Sequence, residues 1–217
     1  MNYNWDILNR KTYNNRTGHY KFWKEYEFIT SNSKITYDKI LDIAGGSGRF
    51  AIPLLDYSSN ITVLDINATA LQILRERNCN IKTICSDFIK AEIKETFSLI
   101  ICIEALGNFH NLKDFFNKIN KLLIDEGRVV FTYNNPSSWR FFLRKIKHWK
   151  KGAYPYKEIN IGELKNVLKK CNFEIEKMEG MNWIPLPLSS NSRLVLLLNL
   201  LKNCLDFLVG IVKAHCS

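Results

Sequence analysis

The sequence predicts an α/β protein: a parallel sheet of seven strands with helices on both faces. Three observations carry that expectation. From residue 39 onward, short apolar runs alternate with segments of helical periodicity, the pattern of strands joined by crossover helices. The runs "LIICI" and "VVF" are apolar on consecutive residues, as strands buried on both faces should be. The first strand also leads directly into "AGGSGR", a glycine loop between a first strand and its helix.

Residues 1–38 carry aromatics at mixed spacing, among them Tyr13, Tyr20, Phe22, Trp23, Tyr26 and Phe28. They are expected to form one or two helices that lead into the domain and partly cover it. The strand "KILDIA" follows, then a helix through "RFAIPLLDYS" and the strand "NITVLDI". Next come the helix "ATALQILRERN", the strand "IKTICSD" and the longer strand "FSLIICIEAL". The helix "LKDFFNKINKLLI" is stopped by "DEG", and "RVVFTYN" is the next strand.

Beyond Asn135 the character changes. A capped helix is expected over about 136–151: Pro136 and Ser137 start it, and apolar residues at 139, 142, 143 and 146 share a face. The helix "INIGELKNVLKKCN", the strand "FEIEKMEGMN" and a proline-containing loop come next. The apolar stretch from Arg193 is broken by Asn199, Lys202, Asn203 and Asp206. It is therefore too short for a membrane span, and divides into a helix near 191–203 and a strand near 206–213.

A chain of 217 residues, 46% apolar and 24% charged, is expected to be one domain (residues 39–217) with a helical cover (1–38). The opening residues are polar and aromatic, unlike a secretory signal. The six cysteines are scattered with no C-x-x-C pair. A reducing, cytoplasmic setting and no metal site are expected. The net charge of +10 is densest over residues 140–151. Such a surplus serves nucleic acid, an anionic membrane surface or a phosphorylated substrate, or simply lines solvated faces.

Two ligand classes explain the glycine loop. "GSGRFA", residues 46–51, satisfies G-x-G-x-x-A, and Asp65 lies about where a ribose-binding acid belongs in a dinucleotide site. A methyl-donating nucleoside with a cationic amino-acid arm is the other class. Asp42, at the end of the first strand, suits that cation and would oppose a pyrophosphate.

The motifs resemble those of the class I S-adenosylmethionine-dependent methyltransferases over about residues 39–180. "LDIAGGSGR" is similar to the family's first motif, with Ala44 in place of its first glycine, followed by Gly45, Gly46 and Gly48. "VLDIN" resembles the second, which implies that Asp65 binds the ribose hydroxyls and that Ile66 borders the cofactor. "CSDF" resembles the third, which implies that Asp87 accepts from the adenine amino group and Phe88 packs on its ring. "IICIEALGNF" resembles the fourth strand and its loop, with Glu104 on the cofactor side. "LLIDEGRVVFTYNN" resembles the turn into the fifth strand.

The resemblance implies a Rossmann-like, doubly wound, mostly parallel seven-stranded sheet whose last strand is antiparallel. It also implies S-adenosyl-L-methionine as cofactor and in-line methyl transfer, which depends mainly on alignment of the reacting atoms. A general base is needed only for a protonated nucleophile; His110, Tyr154 and Tyr156 are the candidates. Arg16, with Tyr13 and Tyr20, is a candidate for the cofactor carboxylate.

The later segments look like the branch acting on small molecules, which implies O-methylation of a sugar, glycan-lipid or natural-product intermediate. Nucleic acid is disfavoured as partner, since no "NPPY"-type motif or RNA-binding extension is present. RNA methylation, a non-catalytic cofactor-binding module and a nicotinamide-dependent oxidoreductase are the other readings. The basic amphipathic stripe at 139–151 also suits peripheral contact with an anionic membrane, or with a lipid-linked acceptor at its inner surface.

Overall fold

A computed structural model describes residues 13–31, 37–134, 159–181 and 207–214. The expected helices at 136–151 and 191–203 lie outside the described residues, as do Tyr154 and Tyr156. The elements are α1 (Arg16–Ser31), β1 (Ile40–Ile43), β2 (Ile61–Asp65), α2 (Ala68–Arg77), β3 (Lys82–Cys85) and β4 (Phe97–Cys102). They continue with α3 (Leu112–Leu122), β5 (Leu123–Asn134), α4 (Ile161–Lys170), β6 (Phe173–Met181) and β7 (Phe207–Ala214).

The strands form one seven-stranded sheet in the order β3-β2-β1-β4-β5-β7-β6. β1 pairs in parallel with β2 and β4, β2 with β3, and β4 with β5. β7 alone is reversed, and it lies antiparallel between β5 and β6. The Rossmann-like expectation, including an antiparallel last strand, is met.

Every residue of β1 and β2 is buried, because helices cover both faces of the sheet. Leu41, Ile43, Ile100, Val129 and Phe131 meet α3 and α4 on one side, through Phe115, Phe116, Ile119, Leu164 and Leu168. Ile40, Val63, Leu99, Ile101 and Val130 meet α1 and α2 on the other, through Phe28, Ile29, Leu71 and Leu74. α3 buries Leu112, Phe115, Phe116, Ile119 and Leu122, the spacing of one helical face.

Asparagines start three of the helices. The Asn67 side chain accepts from Ala70 N, Asn111 from Lys113 N and Asp114 N, and Asn160 from Gly162 N; each satisfies backbone donors that a helix start leaves open.

The helix expected over residues 49–58 is replaced by irregular turns and a short 3₁₀ helix, Pro53–Asp56. Pro53 brings no N–H to bond the carbonyl four residues back, so a regular ladder cannot run through it. Mixed spacings result: Leu54 N donates to Phe50 O at 3.0 Å, but Leu55 N donates to Ile52 O at 3.2 Å. β5 begins earlier than expected. Its pairing with β4 jumps from Phe97–Leu123 to Leu99–Arg128, so the Asp125-Glu126-Gly127 turn bulges out of the ladder. Among the described residues no helix is long and apolar enough to cross a membrane.

Candidate functional site at the carboxyl ends of the strands

The loop after β1 is built around two buried acids. Asp42 lies 2% exposed and Asp65, ending β2, lies 6% exposed. Asp65 Oδ2 accepts from Gly46 N at 2.9 Å and Oδ1 from Asn67 N at 2.8 Å. It therefore ties the glycine loop to the end of β2, while Asn67 caps α2. Burial raises the Asp65 carboxyl, against the lowering effect of those backbone donors.

Asp42 has no such support: its Oδ2 is buried without a hydrogen-bond partner. Burial pushes its carboxyl up to about 8, and nearby Asp65 adds to this while Arg49 opposes it.

The small residues of the loop have different reasons. A Cβ on Gly45 would come within 2.5 Å of the Asp42 carboxyl, and one on Gly48 within 2.4 Å of Leu74. Gly46, at φ +55, has among the described residues no atom nearer than Asp65 Oδ2 at 3.8 Å around such a Cβ. Ala44 adopts φ +58, a left-handed backbone that costs an alanine more than a glycine. The exchange of glycine for alanine is mild in volume and costly in conformation.

Beside the loop stands an ion cluster that joins α1 to the sheet. Arg49 Nη2 donates to Glu104 Oε2 at 2.9 Å and lies 3.3 Å from Glu25 Oε2. Lys21 forms an ion pair with Glu104, and the Tyr13 hydroxyl donates to the same carboxylate. The Arg49 guanidinium lies 4.3 Å from the Tyr13 ring centre and 4.4 Å from that of Phe50. Glu104 sits at φ +60, and its N–H donates to Thr132 Oγ1 at 2.6 Å.

Of these residues, Lys21, Glu25, Arg49 and Thr132 received no role from the sequence. Lys21 and Glu25 do leave a signal, a charged i, i+4 pair within an aromatic-rich helix. Arg49 directly follows the glycines.

The structure brings Asp42, Ala44, Gly45, Gly46, Gly48, Asp65 and Glu104 together. Ile66 follows Asp65 with 74% of its surface exposed. Asp87 is exposed, and its Oδ1 accepts from Ile89 N at 2.8 Å. Phe88 points into the core, 2% exposed, edge-on to Phe109 and Phe115. A ring so enclosed has no face for an adenine, so that expected contact fails; Ile66 offers the exposed apolar surface instead. Arg16 is exposed at the start of α1, and His110 is exposed just ahead of the Asn111 cap. Among the described residues no group of three or more His, Cys, Asp or Glu is placed to hold a metal ion.

Residues 13–178 match the sequence model of a family described as methyltransferase domain. A ubiquinone biosynthesis O-methyltransferase of Rickettsia bellii is 25% identical over 154 residues, covering 66% of this chain and 64% of that protein. The protein of the same name from Rickettsia akari is 24% identical over 165 residues, covering 71% and 66%. The matches thus span just under two thirds of these curated relatives.

Among solved structures, the N-methyltransferase NodS of Bradyrhizobium japonicum superposes with a TM-score of 0.66 at 14% identity, covering 93% of this chain and 98% of that one. Magnesium protoporphyrin IX methyltransferase of Synechocystis, solved with S-adenosylhomocysteine, gives 0.70 at 11% identity, covering 96% and 88%. At such identities the likeness is one of fold.

Proposed function

The chain belongs to the methyltransferase domain family, and from that premise we propose that it transfers a methyl group from S-adenosylmethionine to an oxygen of a small-molecule acceptor. The observation that carries the cofactor assignment is the buried, unpartnered Asp42 carboxyl beneath the glycine loop. A pyrophosphate there could only hold both buried acids in their protonated form, whereas a cationic amino-acid arm favours a carboxylate at Asp42. Among the described residues, Gly46 leaves room for the approach. Asp65 is assigned to the ribose hydroxyls, Ile66 to the adenine face and Asp87 to the adenine amino group. When bound, the sulfonium supplies an activated methyl group.

The protein's own part is to hold the acceptor in line and exclude water. For a hydroxyl acceptor, His110 or Tyr156 is assigned to take up the proton. The names of the Rickettsia relatives favour a quinone precursor over a sugar as acceptor. Residues 140–151, basic in sequence, are the segment that would meet such an acceptor at an anionic membrane surface.

Calorimetric titration with S-adenosylhomocysteine and with NAD tests the cofactor assignment. Micromolar binding of the first and none of the second is expected, and the reverse preference would sink it.

A further inference from the structure

The turn at residues 87–91, after β3, is fastened at both ends. At its start Asp87 Oδ1 accepts from Ile89 N at 2.8 Å and from Lys90 N at 3.3 Å, and the Asp87 carbonyl accepts from Ala91 N at 2.9 Å. Its far end is held from another element. Lys118, on α3, donates from Nζ to Ile89 O at 3.1 Å and also to Ala91 O. Hydrogen bonds with a charged donor are stronger than neutral ones, and an ammonium carries the several donors this contact needs. The same Nζ stands 5.2 Å from the centre of the Phe88 ring, which Phe109 and Phe115 meet edge-on. Phe88 is thus a buried peg, and its neighbours Asp87 and Ile89 are left at the surface. Burial lowers the Lys118 ammonium, and the nearby Asp87 carboxylate opposes that.

We propose that Lys118 is a positioning residue for nucleobase recognition: by fastening residues 87–91 to α3, it holds the Asp87 carboxyl where it selects an aminopurine over an oxopurine. The proposal rests on the assignment of Asp87 to the adenine amino group above. Among the described residues, Oδ1 is taken up by the turn's own N–H groups, which leaves Oδ2 to accept from a ligand. Adenine offers an N–H donor there. Hypoxanthine offers a carbonyl instead, and its donor moves to the adjacent ring nitrogen. A carboxylate held in place meets that carbonyl acceptor to acceptor, with no hydrogen bond made. A carboxylate free to shift can follow the displaced donor and so tolerates either base. Selectivity therefore depends on how firmly the turn is held, and Lys118 holds it.

The test is calorimetry of the full chain with S-adenosylhomocysteine and with S-inosylhomocysteine, which differ only in the base. The parent should favour the first by about ten- to hundredfold, the span of one hydrogen bond to a charged group. Asp87→Ala should abolish that preference. Lys118→Met keeps an aliphatic stem against Phe88 but leaves both carbonyls without their donor. It should shrink the preference to within about threefold, whereas Lys118→Arg, which keeps charge and donors, should retain most of it. Lys118 is only partly buried, so the polar Lys118→Gln serves if the apolar variant does not fold. Its amide is too short to reach both carbonyls, and the preference should shrink equally.

A lysine that is merely structural would lower the melting temperature or weaken both ligands by one factor, with their ratio unchanged. That result overturns the proposal, and the Asp87 assignment survives it if Asp87→Ala removes the preference. A preference that outlasts Asp87→Ala, or a parent that binds both ligands equally, overturns the Asp87 assignment and the proposal with it. A parent that binds neither ligand overturns the cofactor reading itself.

Discussion

At Ala44 the chain holds an alanine at φ +58, a conformation open to glycine without a steric penalty. Ala44→Gly should raise stability by about 1 kcal/mol, read as a higher denaturant midpoint with an unchanged m-value. Sequence comparison weighs the size of a side chain, and the sign of φ at this position only the folded loop reveals. Asp42 and Asp65 were both legible as acids at strand ends beside the glycine loop. Their difference in support was not, because it depends on where the loop N–H groups point. Asp42 has a folded carboxyl raised to about 8 from an ordinary 3.8. Between those values the folded state holds a proton that the unfolded chain has lost, so stability falls as pH rises through the window. Asp42→Asn removes that loss. The unliganded variant should be more stable than the parent at pH 7, on the order of 3 kcal/mol, with the gap closing toward pH 4 in paired thermal melts. Asp65→Ala removes the acceptor for Gly46 N and Asn67 N. It should therefore cost about 1–3 kcal/mol of stability as well as cofactor affinity; a melt unchanged from the parent would contradict the anchoring role.

Between elements, the cluster of Lys21, Glu25, Arg49, Glu104 and Tyr13 fastens α1 to the loops after β1 and β4. Lys21 and Glu25 are each 2% exposed, so the clasp sits in low dielectric, where removing one partner leaves charge uncompensated. Glu104→Ala should destabilise the protein by about 3 kcal/mol, and adding Lys21→Met should restore part of that, as a double-mutant cycle of denaturation midpoints would measure. Glu104 stood out in the sequence as an acid in an apolar run, and the ligand was the natural partner to assign it. Its partners within the protein come from residues 13, 21 and 49, separations no local pattern encodes. Strands and helices fared differently: the alternation of apolar runs with helical periodicity marks them within a few residues. Among the described residues, the helix expected at 49–58 is lost; it contains Pro53, so its breaker was visible although the apolar spacing outweighed it.

Across the whole molecule, seven strands could be counted from the sequence, but their order could not, because β7 enters between β5 and β6. That insertion is fixed by contacts such as Gly210 opposite Phe131, where a Cβ would come within 2.9 Å of the ring. Gly210→Val should overpack this junction and cost about 1–3 kcal/mol, with a matching drop in Tm. The same arrangement dictates an order of events during synthesis. β5 and β6 are synthesised before residues 207–214, yet in the finished sheet both pair with that strand. Until it arrives, one side of β5 and the β6 ladder offer unpaired backbone groups, the kind of edge that recruits other chains. Strands β1–β5 hold all their mutual partners and can pair early, whereas this half of the sheet has to wait. A cell making this protein must shield that opening for the interval, so chaperone supply rather than intrinsic stability is expected to govern its soluble yield.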